Sequence, residues 1–140
     1  MDIYLKSYLN KFNYDMEYNL LLTNPLYIDG DVSNEEEQIQ VYSEVVKQYR
    51  LTDGCKLLIK PHPRDQTDYR GEINGIVVDS MVSSEILCIS EKLKLNKVVT
   101  LYSSSALAFS NCAETIIQVA DNELEAINFC RKVLTGKKNL

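Results

Sequence analysis

Short apolar runs alternate with helix-like patterns along this chain from Asn19 onward. The apolar runs predict strands over residues 20–23, 55–59, 76–78, 98–101 and 115–119. After the first strand, the sequence predicts a helix of about sixteen residues that opens with Ser33 as its cap and Glu36 three residues later. Further helices are expected over residues 83–93, at the serines of 103–105 and over residues 122–134. Such alternation is typical of βαβ units, so we expect an α/β fold with a Rossmann-like parallel sheet flanked by helices.

The length and composition indicate one globular domain. The chain has 140 residues, of which 45% are hydrophobic and 25% are charged, and a chain of this size can bury a core of its own. We expect residues 1–18 to be an N-terminal connecting segment and residues 19–140 to form the domain. The net charge of -5 argues against a broad basic surface, so no nucleic-acid partner is expected.

The four cysteines, Cys55, Cys88, Cys112 and Cys130, lack the close spacing of zinc ligands. We expect all of them to be reduced, which favours an intracellular protein over a secreted one. The sequence also has no apolar run long enough for a membrane span and no signal-peptide pattern. These features lead us to expect a cytoplasmic location.

Polar motifs follow the first four predicted strands, at the point where each strand ends. They are Asp29 and Asp31 after the first strand, His62 after the second, Ser84 with Glu85 after the third, and Ser103, Ser104 and Ser105 after the fourth. Because ligands of open parallel sheets bind beyond the carboxyl ends of the strands, we expect these motifs to line one site.

His62, the only histidine, stands between Pro61 and Pro63, with Lys60 and Arg64 beside them. The prolines favour a stiff, non-helical loop, and its basic neighbours suit an anionic ligand. A histidine can also donate a proton to a phosphate oxygen near neutral pH. The alternative is a strand end that turns on two prolines and carries a histidine by chance.

The other motifs also have both a local and a chemical interpretation. Three serines at a helix N-terminus suit a phosphate, although serine is also a common helix cap. Asp29 or Asp31 could deprotonate an attacking hydroxyl, although Asp-Gly is also common turn chemistry. Glu85 could bind ribose hydroxyls or simply compensate the helix dipole. The chain has no Walker loop and no Gly-x-Gly-x-x-Gly motif, so serines and histidine would have to hold a phosphate.

Four motifs resemble those of bacterial sialyltransferases. They are Lys60-Pro61-His62-Pro63-Arg64-Asp65, Asp68-Tyr69, Ser83-Ser84-Glu85 and Tyr102-Ser103-Ser104-Ser105-Ala106. The likeness is to glycosyltransferase family 52, the lipooligosaccharide sialyltransferases, with the bacterial polysialyltransferases as related enzymes. It implies the C-terminal, donor-binding half of a GT-B enzyme that moves sialic acid from CMP-sialic acid to a cell-surface glycan. The implied reaction inverts the anomeric carbon and needs no metal or other cofactor.

The resemblance also implies a role for each candidate residue. His62 would be the general acid for the departing nucleotide, and Asp29 would be the general base, with Asp31 as the second choice. The phosphate would be held by Ser103, Ser104 and Ser105. The remaining candidates for donor binding are Lys60, Pro63, Arg64, Ser84 and Glu85.

The implied partners are the nucleotide-sugar donor and a glycan acceptor, the latter held by an N-terminal domain that this chain lacks. The chain alone would then be inactive or feeble. A homodimer is left open, and so is a peripheral position of the full enzyme at the inner face of the bacterial membrane. Two alternatives remain as well. One is a transferase of capsule or teichoic acid synthesis that uses another CMP or CDP donor, carrying Kdo or glycerol phosphate, and the other is a non-catalytic α/β assembly module.

Overall fold

A parallel β-sheet forms the centre of the molecule. The computed structural model describes residues 16–83, 87 and 94–136. Within these residues the strands are β1 Glu17–Leu22, β2 Lys56–Lys60, β3 Ile76–Val77, β4 Lys94–Thr100 and β5 Ala113–Gln118. Their spatial order is β3-β2-β1-β4-β5, and all neighbouring strands are parallel. This is the doubly wound order of Rossmann-like sheets, so the predicted α/β fold is confirmed.

Helices cover both faces of the sheet. Helix α1, Glu35–Gln48, and helix α2, Glu123–Gly136, pack on one face, whereas a short 3-10 helix, Ser104–Phe109, packs on the other. The helix predicted over residues 83–93 lies outside the described residues, apart from Ser83 and Leu87. Of the connecting segment predicted over residues 1–18, residues 1–15 also lie outside them, and Glu17 and Tyr18 belong to β1.

The start of α1 differs from the prediction. Its cap is Asn34, whose Oδ1 accepts the backbone N–H of Glu37 at 2.9 Å. In return, Glu37 Oε1 accepts the backbone N–H of Ser33 at 2.8 Å. The predicted pairing of Ser33 with Glu36 was therefore wrong by one residue. Serine and asparagine cap helices about equally well, so residue type alone does not decide between adjacent positions.

The carboxyl ends of four strands lie level with one another. Leu22 of β1 is paired with Lys60 of β2 and with Thr100 of β4, and Thr100 is paired with Gln118 of β5. Adjacent strands are about 4.8 Å apart. The loops that follow these strands therefore begin side by side along one edge of the sheet.

Each face of the sheet carries its own hydrophobic core, because successive side chains of a strand point to opposite faces. Leu21, Ile59 and Val99 belong to the core beneath α1 and α2, which we call the helix-pair face. Leu20 and Val98 belong to the core on the other side, which we call the serine-turn face because the 3-10 helix packs there.

The cysteines correct one prediction. Cys55 and Cys130 are free thiols, but Cys112 is disulfide-bonded, so the expectation that all cysteines are reduced was wrong. Sequence spacing can argue against a zinc site, but a disulfide depends on the distance between the residues in the fold. Among the described residues, no helix is both long and apolar enough to cross a membrane.

Candidate functional site

A cleft of about 190 Å3 opens at the carboxyl edge of the sheet, beyond the ends of β1, β2 and β4. Its apolar lining includes Leu26, Leu101 and Ala126, which belong to the core of the helix-pair face. Its polar lining residues are Asn24, Asp29, Asp31, His62, Arg64, Tyr102 and Glu123. The structure thus brings together Asp29, Asp31, His62 and Arg64, which the sequence placed on two separate loops.

The His62 loop holds its imidazole ring in a defined orientation. The backbone N–H of Arg64 donates to His62 Nδ1 at 3.0 Å, and the backbone N–H of Asp65 donates to the His62 carbonyl at 2.8 Å. Because Nδ1 is an acceptor here, the neutral ring carries its proton on Nε2. His62 is half-buried in the cleft wall, so its Nε2–H can donate a hydrogen bond to a ligand there.

The Asp29 loop is a tight turn that also lines the cleft. The backbone N–H groups of Asp29, Gly30 and Asp31 donate to the carbonyls of Pro25, Tyr27 and Leu26 at 2.8 to 3.0 Å. Gly30 has a φ of 81°, in the left-handed region that favours glycine. The turn interpretation of Asp-Gly is therefore correct, and the same turn places both aspartates at the cleft.

An ion pair joins the two loops at the surface. Arg64 Nη1 lies 3.0 Å from Asp29 Oδ1, and Arg64 Nη2 donates to Asp29 Oδ2 at 3.4 Å. The side chains are 59% and 38% exposed, so the pair contributes little to stability. Its effect is local, because it adds a guanidinium and a carboxylate to the cleft that His62 also lines.

Asp31 has an unusual electrostatic environment. Its pKa is raised, first because partial burial disfavours the charged carboxylate and then because the negative charges of Glu123 and Asp29 are nearby. A raised pKa makes a carboxylate a stronger base. On this criterion Asp31 is as good a candidate for the general base as Asp29, whose two oxygens both accept from Arg64.

The serines fulfil their local role. Ser103 caps the 3-10 helix, because its Oγ accepts the backbone N–H of Ser105 at 3.1 Å, and its hydroxyl is 2.7 Å from that of Ser105. Ser104 and Ser105 are exposed. None of the three lines the cleft described above, but they begin directly after Tyr102, which does.

Lys60 lies at the same edge on the serine-turn face. It follows Leu58 by two positions in β2, and Leu58 belongs to the core of that face. Lys60 is only 8% exposed, and burial lowers its pKa because the charged ammonium is disfavoured. Lys60 and the serine turn thus lie on one face of the edge and the cleft on the other. Pro63 is exposed, and Ser84 and Glu85 lie outside the described residues.

Sequence reasoning missed a buried polar cluster beneath the cleft. It consists of Thr23, Gln38, Asp65 and Tyr69, which are connected by hydrogen bonds. The sequence held one indication of it. Gln38 precedes Val41 and Tyr42 by three and four residues, so it lies on the apolar side of α1.

Two buried side-chain oxygens have no hydrogen-bond partner within the described part of the chain. They are Asn24 Oδ1 and Thr100 Oγ1.

The described residues offer no metal site of several protein ligands. No three His, Cys, Asp or Glu side chains among residues 16–83, 87 and 94–136 come close enough together to ligate one metal ion.

The sheet order defines a Rossmann-like α/β domain, and the cleft lies at the carboxyl edge of its parallel sheet, where ligands of such sheets bind. The family model of Glycosyltransferase family 52 matches residues 7–123. The chain belongs to that family, and the resemblance noted in its sequence is confirmed.

A similar protein occurs in Haemophilus influenzae, where it is described as uncharacterised. It is 38% identical over 91 residues, which are 64% of this chain and 28% of that protein. The chain therefore matches less than a third of the length of this relative. No solved structure matches the chain.

Proposed function

We propose that this chain is the donor-binding part of a sialyltransferase that moves sialic acid from CMP-sialic acid to a hydroxyl of a cell-surface glycan. Membership of glycosyltransferase family 52 supports the class of reaction. The observation that carries the proposal is the cleft at the sheet edge, in which the Nε2–H of His62 is available and the carboxylates of Asp29 and Asp31 lie on the neighbouring loop.

The reaction is an inverting displacement at the anomeric carbon. Asp29 or Asp31 takes the proton of the acceptor hydroxyl, and the hydroxyl oxygen forms the new bond to the anomeric carbon. The bond from that carbon to the phosphate oxygen breaks, and CMP leaves with the electron pair. His62 donates a hydrogen bond from its Nε2–H to the departing phosphate. Arg64, Lys60 and the serine hydroxyls stabilise the phosphate charge in place of a metal ion.

The donor would lie along the sheet edge, with its phosphate between the His62 loop and the serine turn. This placement uses Lys60 and Ser103 from the serine-turn face together with His62 and Arg64 from the cleft. Strands that end level with one another support it, because the two groups of residues follow adjacent strands β1, β2 and β4.

The acceptor glycan would be bound by another part of a longer protein. The share of the relative that the match covers, 28%, leaves room for such a part. On this proposal the isolated chain binds the donor but transfers little or nothing. The whole enzyme would work in the cytoplasm, with its product destined for the cell surface.

The test is ligand binding by the chain itself. CMP should raise the melting temperature, and a ligand at 100 times its Kd stabilises a protein by about 2.7 kcal/mol. CDP and UDP serve as comparison ligands, since a stronger response to CDP would favour a donor of capsule or teichoic acid synthesis. A flat response to all three nucleotides would overturn the proposal.

A variant pair assigns the binding to the cleft. His62→Ala should weaken CMP binding about tenfold or more, because a hydrogen bond to a charged group contributes about 1.5–3 kcal/mol. The matched control is Gln66→Ala, since Gln66 is exposed on the same loop and does not line the cleft. Equal CMP affinity in His62→Ala and the parent chain would remove His62 from the site.

A further inference from the structure

Gln38 connects the two loops of the cleft through one side-chain amide. Its Oε1 accepts the backbone N–H of Tyr27, in the Asp29 loop, at 2.8 Å. Its Nε2 donates to Asp65 Oδ1, in the His62 loop, at 3.0 Å and also to the carbonyl of Asn24 at 3.3 Å. The side chain is fully buried in the first turns of α1.

Asp65 links Gln38 to His62 by hydrogen bonds. Its backbone N–H donates to the His62 carbonyl at 2.8 Å. Its carboxylate accepts from four groups: Gln38 Nε2, the Thr23 hydroxyl at 2.6 Å, the Tyr69 hydroxyl at 2.6 Å and the backbone N–H of Thr67 at 3.0 Å. A carboxylate has lone pairs for all four donors, so all four hydrogen bonds to Asp65 can form together.

We propose that Gln38 is a positioning residue, which holds the Asp29 loop and the His62 loop at a fixed separation so that both can act on one ligand. The loops follow strands that are direct neighbours, yet the surface contact between them, Arg64 with Asp29, is exposed. The contact through Gln38 is buried, where hydrogen bonds are stronger and an unpaired group is costly. That the two loops act on one ligand rests on the proposed function. That Gln38 fixes the separation of the loops does not.

An apolar side chain would suffice if Gln38 only filled space. Val41 and Val45 fill the same side of α1 with apolar groups, and burying an amide costs free energy unless all its bonds are made. Gln38 makes these bonds to two different loops. We therefore expect its replacement to change the relative position of the loops more than the stability of the helix.

The experiment uses the fact that His62 is the only histidine, so its imidazole signals in an NMR spectrum are unambiguous. For the neutral ring of the parent chain, the 15N shifts should report protonation on Nε2, with Nδ1 as the acceptor. In Gln38→Leu this signature should become averaged between tautomers, and CMP affinity should fall about tenfold. Gln40→Leu is the control, because Gln40 is exposed on the same helix, and it should leave both readouts unchanged.

A second variant separates positioning from stability. Tyr69→Phe deletes a hydroxyl from the same buried cluster but keeps the bridge from Tyr27 through Gln38 to Asp65. It should lower the melting temperature and yet retain the His62 signature and CMP affinity within about twofold. Should Gln38→Leu fail to fold, Gln38→Met has nearly the length of glutamine and carries the same expectations.

The outcomes are distinct. A folded Gln38→Leu or Gln38→Met variant with the parent His62 signature and CMP affinity would overturn the proposal, as would a Tyr69→Phe variant with the same loss of signature and affinity. If the parent chain does not bind CMP at all, the proposed function fails, but the His62 signature still decides whether Gln38 positions the loops.

Discussion

The charges around the cleft explain how an acidic chain could bind a phosphate. The net charge is -5, and Asp29, Asp31 and Glu123 all line the cleft. Binding of a phosphate would therefore depend on single positive groups near the cleft. Arg64 is one of them, and it forms an ion pair with Asp29. On the proposed function, an incoming phosphate would compete with Asp29 for Arg64, and its arrival would free the Asp29 carboxylate to act as a base.

The titration of Asp31 should depend on Glu123. The pKa of Asp31 is raised by burial first, then by the charges of Glu123 and Asp29, so Glu123→Gln should move it down toward its usual range. A carboxyl group whose pKa is raised in the folded state stabilises the protein below the usual aspartate pKa, and this stabilisation is lost as the pH rises through the raised pKa. Glu123→Gln should lower the pKa of Asp31, so it should also reduce the loss of stability between acid and neutral pH. The measurements are the 13C titration of the Asp31 carboxyl and urea unfolding across that range.

A matched control is available for this prediction. Glu125 also lies in the first turn of α2, so Glu125→Gln removes the same favourable interaction with the helix dipole. It should leave the Asp31 titration unchanged. An equal shift in both variants, or none in Glu123→Gln, would show that Glu123 does not act on Asp31.

The start of α1 provides a test at the level of a whole element. Asn34→Ala should lower the free energy of unfolding by about 1 kcal/mol, because its side chain accepts the N–H of Glu37. Ser33→Ala should change it by less than about 0.5 kcal/mol, since Ser33 contributes its backbone N–H to the cap. Chemical denaturation of both variants measures the difference, and a larger loss in Ser33→Ala would restore the cap predicted from the sequence.

The elements were predictable because their patterns are strong and local. Apolar runs identified the strands, and the parallel sheet follows from the helices between them, so the residues at the carboxyl edge could be named in advance. His62, Arg64, Asp29 and Asp31 do line one cleft. Their position at one edge follows from the topology of the sheet, whereas their orientation toward the cleft depends on the loops.

The remaining parts of the site depend on contacts between distant residues. Gln38 and Asp65 are separated by 27 positions, and nothing in their local sequence indicates that they meet. Lys60 and the serine turn lie on the face opposite the cleft because of the alternation along β2 and β4, which depends on register. The disulfide at Cys112 is likewise a matter of distance in the fold.

At the scale of the whole molecule, the two cores support different parts of the candidate site. The helix-pair face provides Leu26 and Leu101 beneath the cleft, whereas the serine-turn face provides Ala106 and Phe109 beneath the serines. Both cores meet at β1, where Leu20 and Leu21 point to opposite faces and are fully buried. The proposed donor site spans the edge, so it requires both cores to be folded, and we expect them to unfold together because they share β1.

Single substitutions in β1 test this cooperativity. Leu20→Ala and Leu21→Ala should each lower the free energy of unfolding by about 2–5 kcal/mol, because each leaves a cavity in one core. Leu124→Ala, the control, should have almost no effect because Leu124 is 68% exposed. For each variant that remains folded, the transitions followed by far-UV circular dichroism and by tyrosine fluorescence should coincide. Separate transitions in Leu20→Ala or Leu21→Ala would show that one face unfolds without the other. The proposed donor site, which uses residues of both faces, would then lose one part while the other remained folded.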